Sequence, residues 1–245
     1  MIYSESNRLI RRTIITAVAL VVWFYTQSLI GARPVPAAGI GDRFHQLTEP
    51  WNAHFLTHAT AADALLIGSS ALIDLLALFL LLRWLFGASV RPFLGLFLLM
   101  VTRQIVQAFC ALPPPPNMIW HYPGFPSLLV TYSVAGDFFF SGHTAIAVFA
   151  ATEIARLKKN WLTALAIAIV VFEIVTVLVL RAHYSMDVFT GLIAALWIAP
   201  IAERLSAPID RFVQKREAHP TRERPGNGPA RREKAPGDRA ASENQ

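Results

Sequence analysis

The residues best suited to chemistry in this chain stand at the edges of oily sequence. In 137-DFFFSGHTAIAVF-149, three phenylalanines run into Ser141-Gly142-His143 before apolar sequence resumes. In 181-RAHYSMDVFTG-191, His183 and Asp187 stand four residues apart. On a helix that spacing puts both side chains on one face, one turn apart. The carboxylate can accept a hydrogen bond from one imidazole nitrogen, which fixes the tautomer and leaves the other nitrogen to attack or to bind a metal. The pattern suits covalent catalysis on phosphorus, with these expected roles. His183, oriented by Asp187, forms a phosphohistidine, and His143 protonates the leaving oxygen and then deprotonates the acceptor. Ser141, Gly142 and neighbouring N–H groups can hold non-bridging oxygens, and Arg103 and Arg181 can pair with the phosphate.

Each residue also has a plainer use. Ser141 suits a helix cap. Arg103 lies deep in apolar sequence, where Asp74 or Glu173 can neutralise it. Arg181 can snorkel to an interface. Asp137 can cap a helix or orient the site, and His45, His54 and His58 suit an interfacial loop. Two histidines and a carboxylate also form a common metal set.

The elements that hold these residues must be membrane helices. The chain is 54% hydrophobic and 16% charged, with mean hydropathy +0.45, whereas soluble domains carry about 25% charge. Six stretches are long enough, or nearly so, to span a bilayer as helices: 13–30, 61–82, 93–112, 138–157, 161–180 and 184–201. The first is read as a retained span, because it exceeds a signal core and no clear cleavage site follows. Residues 1–205 are therefore expected to form an all-α integral membrane bundle of six transmembrane helices. Residues 206–245 are expected to form a basic, disordered tail. Residues 40–60 are expected to lie along the interface. Cys110 stands alone, so no intramolecular disulfide forms.

Charge orients the bundle. Arg8, Arg11 and Arg12 precede the first span, Arg83 and Arg91 flank the second connection, and Arg156, Lys158 and Lys159 fill the fourth. Segment 113–137 holds no Lys or Arg. The positive-inside rule predicts both termini in the cytoplasm. The fourth and sixth helices then both begin on the extracytoplasmic face, with His143 and His183 at one depth. Helix N-termini attract anions there. The net charge of +6 fits this orientation, and no nucleic-acid motif accompanies it.

The motifs Asp137-Phe-Phe-Phe-Ser-Gly-His143-Thr and His183-Tyr-Ser-Met-Asp187-Val resemble the sphingomyelin synthase family, a branch of the type 2 phosphatidic acid phosphatase superfamily. Gly136-Asp137, and Arg103 followed by Leu112 and Pro113–Pro116, extend the likeness over about 103–191. The wider superfamily's Lys-x6-Arg-Pro motif has Trp84 in place of its lysine, and Val177 stands where that superfamily has an arginine. Both departures favour the synthase-like branch, although Ala135 replaces its usual cysteine. The resemblance implies a six-helix enzyme with the triad His143, His183 and Asp187, without metal or other cofactor. It implies transfer of a phospho-head group from a phospholipid to a lipid hydroxyl. Water as acceptor would make it a lipid phosphate phosphatase. A non-catalytic lipid-binding or transport protein is the remaining class. The sequence carries no sign of oligomeric state.

Overall fold

A computed structural model of the chain describes residues 2–32, 40–132 and 138–218. Asp137, Gly136 and Ala135 lie outside the described residues, as does the tail from 219. Among the described residues every regular element is helical: α1 (Ile2–Gly31), α2 (Arg43–Leu47), α3 (Glu49–Thr57), α4 (Ala59–Leu85), α5 (Arg91–Phe109), α6 (Gly142–Ala155), α7 (Asn160–Val179) and α8 (Ser185–Ala218). Five of them, α1, α4, α5, α7 and α8, are long and apolar enough to cross a membrane. The chain is a multi-pass membrane protein. Their outward faces carry Leu75, Leu78, Leu165, Val171, Ile193 and Trp197, all exposed in the isolated chain, as lipid-facing side chains should be.

The structure shortens the predicted span 138–157, which still carries the chain from the cleft end of the bundle to the Arg156 end. Its helix is α6, with 14 residues, on the order of 21 Å long against a hydrocarbon core of about 30 Å. The oily run is explained by position in the bundle, because α6 packs against α4, α5, α7 and α8. Ala145, Ala147 and Ala150 are buried. Small residues let membrane helices approach closely without help from the hydrophobic effect. Two glycines on neighbouring helices serve the same end. A Cβ on Gly95 of α5 would stand 2.0 Å from the Phe149 ring, and one on Gly191 of α8 would stand 2.6 Å from the Ser141 carbonyl oxygen.

Helix α8 continues past residue 205, running unbroken through Pro200 and Pro208 to Ala218. Asp210 holds it in place, accepting from the Ser89 hydroxyl at 2.7 Å and from the Val90 N–H at 2.8 Å at the start of α5. Segment 40–60 folds as α2 and α3, with Phe44, Leu47 and Trp51 exposed.

Among the described residues, a network of arginine ties gathers at the end of the bundle away from residues 138–143. Arg12 donates to the carbonyls of Trp84, Leu85 and Gly87 and lies over the Trp84 ring. Glu153, buried near the end of α6, accepts two bonds from Arg91 at 2.8 and 3.0 Å and faces Arg156 at 3.4 Å. Arg156 also forks onto Glu203. Removing one partner of a buried pair strands the other. Glu153→Ala is therefore expected to destabilise the fold by about 3 kcal/mol and to lower the melting temperature in detergent. An unchanged melting temperature refutes this role.

Candidate active site

The site begins with the end of α7. The last carbonyls of a helix lack intrahelical partners, and here donors arrive from four places. Val177 O accepts from Ala182 N and Leu178 O from Arg181 N; Val179 O accepts from Asn52 Nδ2 at 2.9 Å and Leu180 O from Ile119 N at 2.8 Å. The chain then turns through Arg181, whose φ of +54° is uncommon for a residue with a side chain. The Arg181 guanidinium donates to the Pro116 and His45 carbonyls and pairs with Glu49. It thus fastens the long loop and α2–α3 to the turn.

That turn delivers His183. The residue precedes α8 rather than riding on it, so the shared helical face expected for His183 and Asp187 is corrected. Asp187 is instead the third residue of α8, and its Oδ2 accepts from the Tyr184 N–H at 2.9 Å. A carboxylate in the first turn reaching back to the N-cap N–H is one half of a capping box. His183 Nδ1 lies 2.9 Å from the Phe138 carbonyl oxygen and 3.7 Å from Asp187 Oδ2. A carbonyl can only accept, so Nδ1 carries the hydrogen and Nε2 keeps its lone pair. The tautomer sought from Asp187 is set by a backbone carbonyl, with the carboxylate beside it. Asp187 Oδ1 is buried without a hydrogen-bond partner.

Across from this turn, Ser141 caps α6. Its Oγ accepts from the Thr144 N–H and hydroxyl, and its own N–H donates to the Asp187 carbonyl at 3.0 Å. The first turn of α6 leaves the Gly142 and His143 N–H groups without intrahelical acceptors. Gly142, His143, His183 and Arg103 line one small cleft of about 50 Å³, together with Trp23, Trp120 and Phe138. His143 Nε2 is buried without a partner, and the ring meets Trp120 edge-on at 5.4 Å. Arg103 donates to the Phe140 carbonyl at 3.0 Å and to Gln27 Oε1 at 3.1 Å. A Cβ on Gly142 would stand 3.4 Å from Arg103 Nε, so glycine lets the guanidinium sit against the helix end.

The structure thus brings His143, His183, Gly142 and Arg103 to one cleft, with Asp187 beneath it. Ser141 is buried as a cap and Arg181 is turned to Glu49, and neither lines the cleft. The carboxylates expected near Arg103 bind elsewhere: Asp74 accepts from Ser127, Leu128 N and Leu129 N, and Glu173 accepts from Ser69. Among the described residues no group of three or more His, Cys, Asp or Glu stands ready to hold a metal.

Two supports escaped the sequence reading. His45, assigned to a loop, is buried under Tyr184, and its Nε2 donates to the His183 carbonyl at 2.9 Å. Asp42 Oδ1 caps α2 while its Oδ2 accepts from Ser185 N at 2.5 Å. Burial works against the Asp42 carboxylate, but bonds from Ser185, together with His45 and Phe44, outweigh it and hold the carboxyl below its usual range. The start of α8 is therefore filled by Asp42 and Asp187, which leaves α6 as the helix end open to an anion. Asp42-x-x-His45 before an amphipathic stretch was the available signal.

No curated protein matches the sequence. A family model described as AtPDCT1/2, the phosphatidylcholine:diacylglycerol cholinephosphotransferases, matches residues 42–204. The match covers well over half of the chain and corrects the family reading: this is not the sphingomyelin synthase-like branch that the two motifs resemble. The motifs report the chemistry of a site, whereas the match also takes in the Asp42 brace and the helices around it. The chain belongs to the AtPDCT1/2 family and is an enzyme of the membrane, a lipid phosphotransferase.

Proposed function

We propose that the enzyme moves phosphocholine from phosphatidylcholine to diacylglycerol in two steps at this cleft. The observation that carries the reading is the Phe138 carbonyl on His183 Nδ1, which leaves Nε2 nucleophilic beside His143. In the first step the Nε2 lone pair attacks phosphorus. The phosphorus–oxygen bond to the glycerol breaks, and protonated His143 gives its proton to that oxygen. Diacylglycerol leaves, and phosphocholine stays on His183. In the second step neutral His143 takes the proton of a diacylglycerol hydroxyl. The oxygen attacks phosphorus, the phosphorus–nitrogen bond breaks, and His183 is restored. Arg103 and the first-turn N–H groups of α6 stabilise the non-bridging oxygens. Asp187 steadies the charge that builds on the His183 ring. Trp23, Trp120 and Phe138 offer aromatic faces to the quaternary ammonium. Choline and diacylglycerol come from the family's description.

Phosphatidylcholine labelled in its head group tests the intermediate. Wild-type enzyme quenched without diacylglycerol is expected to hold acid-labile label on the peptide with His183, and His143→Ala to slow both labelling and transfer about a thousandfold. His183→Ala should carry no label and transfer nothing. Label on another residue, or transfer surviving His183→Ala, overturns the scheme. Label released as free phosphocholine in the presence of diacylglycerol would make water the acceptor.

We assign both termini to the cytoplasm and the cleft to the extracytoplasmic face. The clustering of Arg12, Arg91, Arg156 and Lys158 away from the cleft supports this under the positive-inside rule. In a Cys110→Ser background, an impermeant thiol reagent on intact cells should label Tyr122→Cys and spare Lys158→Cys. The reverse pattern inverts the assignment.

A further inference from the structure

A second hollow begins where the catalytic cleft ends. Trp23, Met100, Leu129 and Ile146 line both. It continues as a groove of about 240 Å³ between α1, α4 and α5, walled by residues such as Ala19, Leu20, Ala77 and Leu96. Of its few polar groups only Trp23 Nε1 and Gln104 Oε1 are buried without a partner. Thr26 Oγ1 donates to the Val22 and Trp23 carbonyls, Thr16 Oγ1 accepts from Trp84 Nε1 at 3.1 Å, and Gln104 donates to Gln27 at 3.2 Å. Water has little to bond with there, and an apolar occupant is favoured.

The framing of the groove is as telling as its lining. Helix α1 is held at one end by Arg12 on the Trp84, Leu85 and Gly87 carbonyls, and at the other by Gln27 with Arg103 and Gln104. Between these latches exposed Val22, Phe97 and Ile105 open the groove sideways. From Phe93 to Ile105 it runs on the order of 18 Å along α5. The hydrocarbon of one leaflet is about 15 Å deep, half of the core thickness. One end meets the reacting groups and the open side faces lipid.

We infer that this groove holds an acyl chain of the diacylglycerol moiety whose glycerol oxygen lies at His143 and His183. The inference rests on the proposed reaction and adds a consequence to it. The leaving and the entering diacylglycerol are one chemical class, so a single groove serves both half-reactions in turn. Phosphatidylcholine enters from the bilayer, deposits its head group, and slides out as diacylglycerol; the next diacylglycerol takes its place. Seating the chain holds the acceptor hydroxyl at the cleft, which favours it over water.

Wild-type protein in phosphatidylcholine nanodiscs is irradiated with a diacylglycerol that bears a photoactivatable group in its acyl chain, and the adducts are mapped by mass spectrometry. Adducts concentrated on Leu20 and Leu96 and competed by unlabelled diacylglycerol are expected. Adducts spread evenly over outward residues such as Leu165 and Val171 of α7 overturn the inference. In the transfer assay, Ala19→Trp is expected to raise KM for a long-chain acceptor about tenfold and to leave a short-chain acceptor unchanged. Val18→Trp, one residue away and outside the groove, should alter neither. Equal effects of Ala19→Trp on both chain lengths, or none, count against the groove. Labelling needs no turnover, so groove adducts on a protein that transfers no phosphocholine contradict the reaction. Transfer with adducts elsewhere contradicts the groove.

Discussion

Two hydrogen bonds between segments far apart in sequence hold the site together. The Phe138 carbonyl accepts from His183 Nδ1, and the Ser141 N–H donates to the Asp187 carbonyl. They bind the extended approach to α6 against the turn that opens α8. One of them also selects the imidazole tautomer, so a backbone contact decides which nitrogen is free. The approach must be close for both to form. Gly191 permits it, since a Cβ there would run into the Ser141 carbonyl. Ser141 in turn is held by Thr144, which sets the first turn of α6 and hence the direction in which His143 projects.

A turn carrying a buried histidine needs support from above as well. Asp42, His45, Glu49 and Asn52 supply it from a stretch of eleven residues, each reaching the last residue of α7, the α7–α8 turn or the first residue of α8. Arg181 answers them from inside the turn. Its charge satisfies Glu49 and two carbonyls at a point where a left-handed residue would otherwise be poorly held. The family match begins at residue 42, where this brace starts. The region that defines the family therefore includes the part that shapes the turn along with the reacting groups.

The helices were legible because apolar runs of span length have few alternatives in a bilayer. The ranges 61–82 and 161–180 fall within about three residues of α4 and α7. The departures have distinct causes. In 138–157 hydrophobicity signals burial among other helices, and composition cannot tell protein from lipid as the apolar neighbour. At 205 a drop in hydropathy suggested an ending, but Asp210 fixes the continuing helix by a contact 120 residues away. The pairing of His183 with Asp187 was readable as proximity and misread as a shared helical face, because a capping carboxylate and a catalytic one have the same spacing. Arg181 was offered to a phosphate or to the interface, and the sequence could not show that Glu49 would meet it. The family could not be read from two short motifs, since they encode a reaction more than a lineage.

On the proposed reaction, the hardest demand is keeping water from the second step. Three residues that activate a lipid hydroxyl would activate water equally well, so the triad cannot select the acceptor. Selection has to come from access and residence. The cleft is walled by Trp23, Trp120, Phe138, Leu129 and Ile146, which offer water few partners. Its continuation into an apolar groove favours an acceptor with a long hydrocarbon tail. Binding that tail makes attack by the hydroxyl effectively unimolecular, and the effective concentration gained this way can exceed that of bulk water by orders of magnitude. In such a design transferase and hydrolase differ in the wall behind the histidines, and the histidines themselves can stay the same.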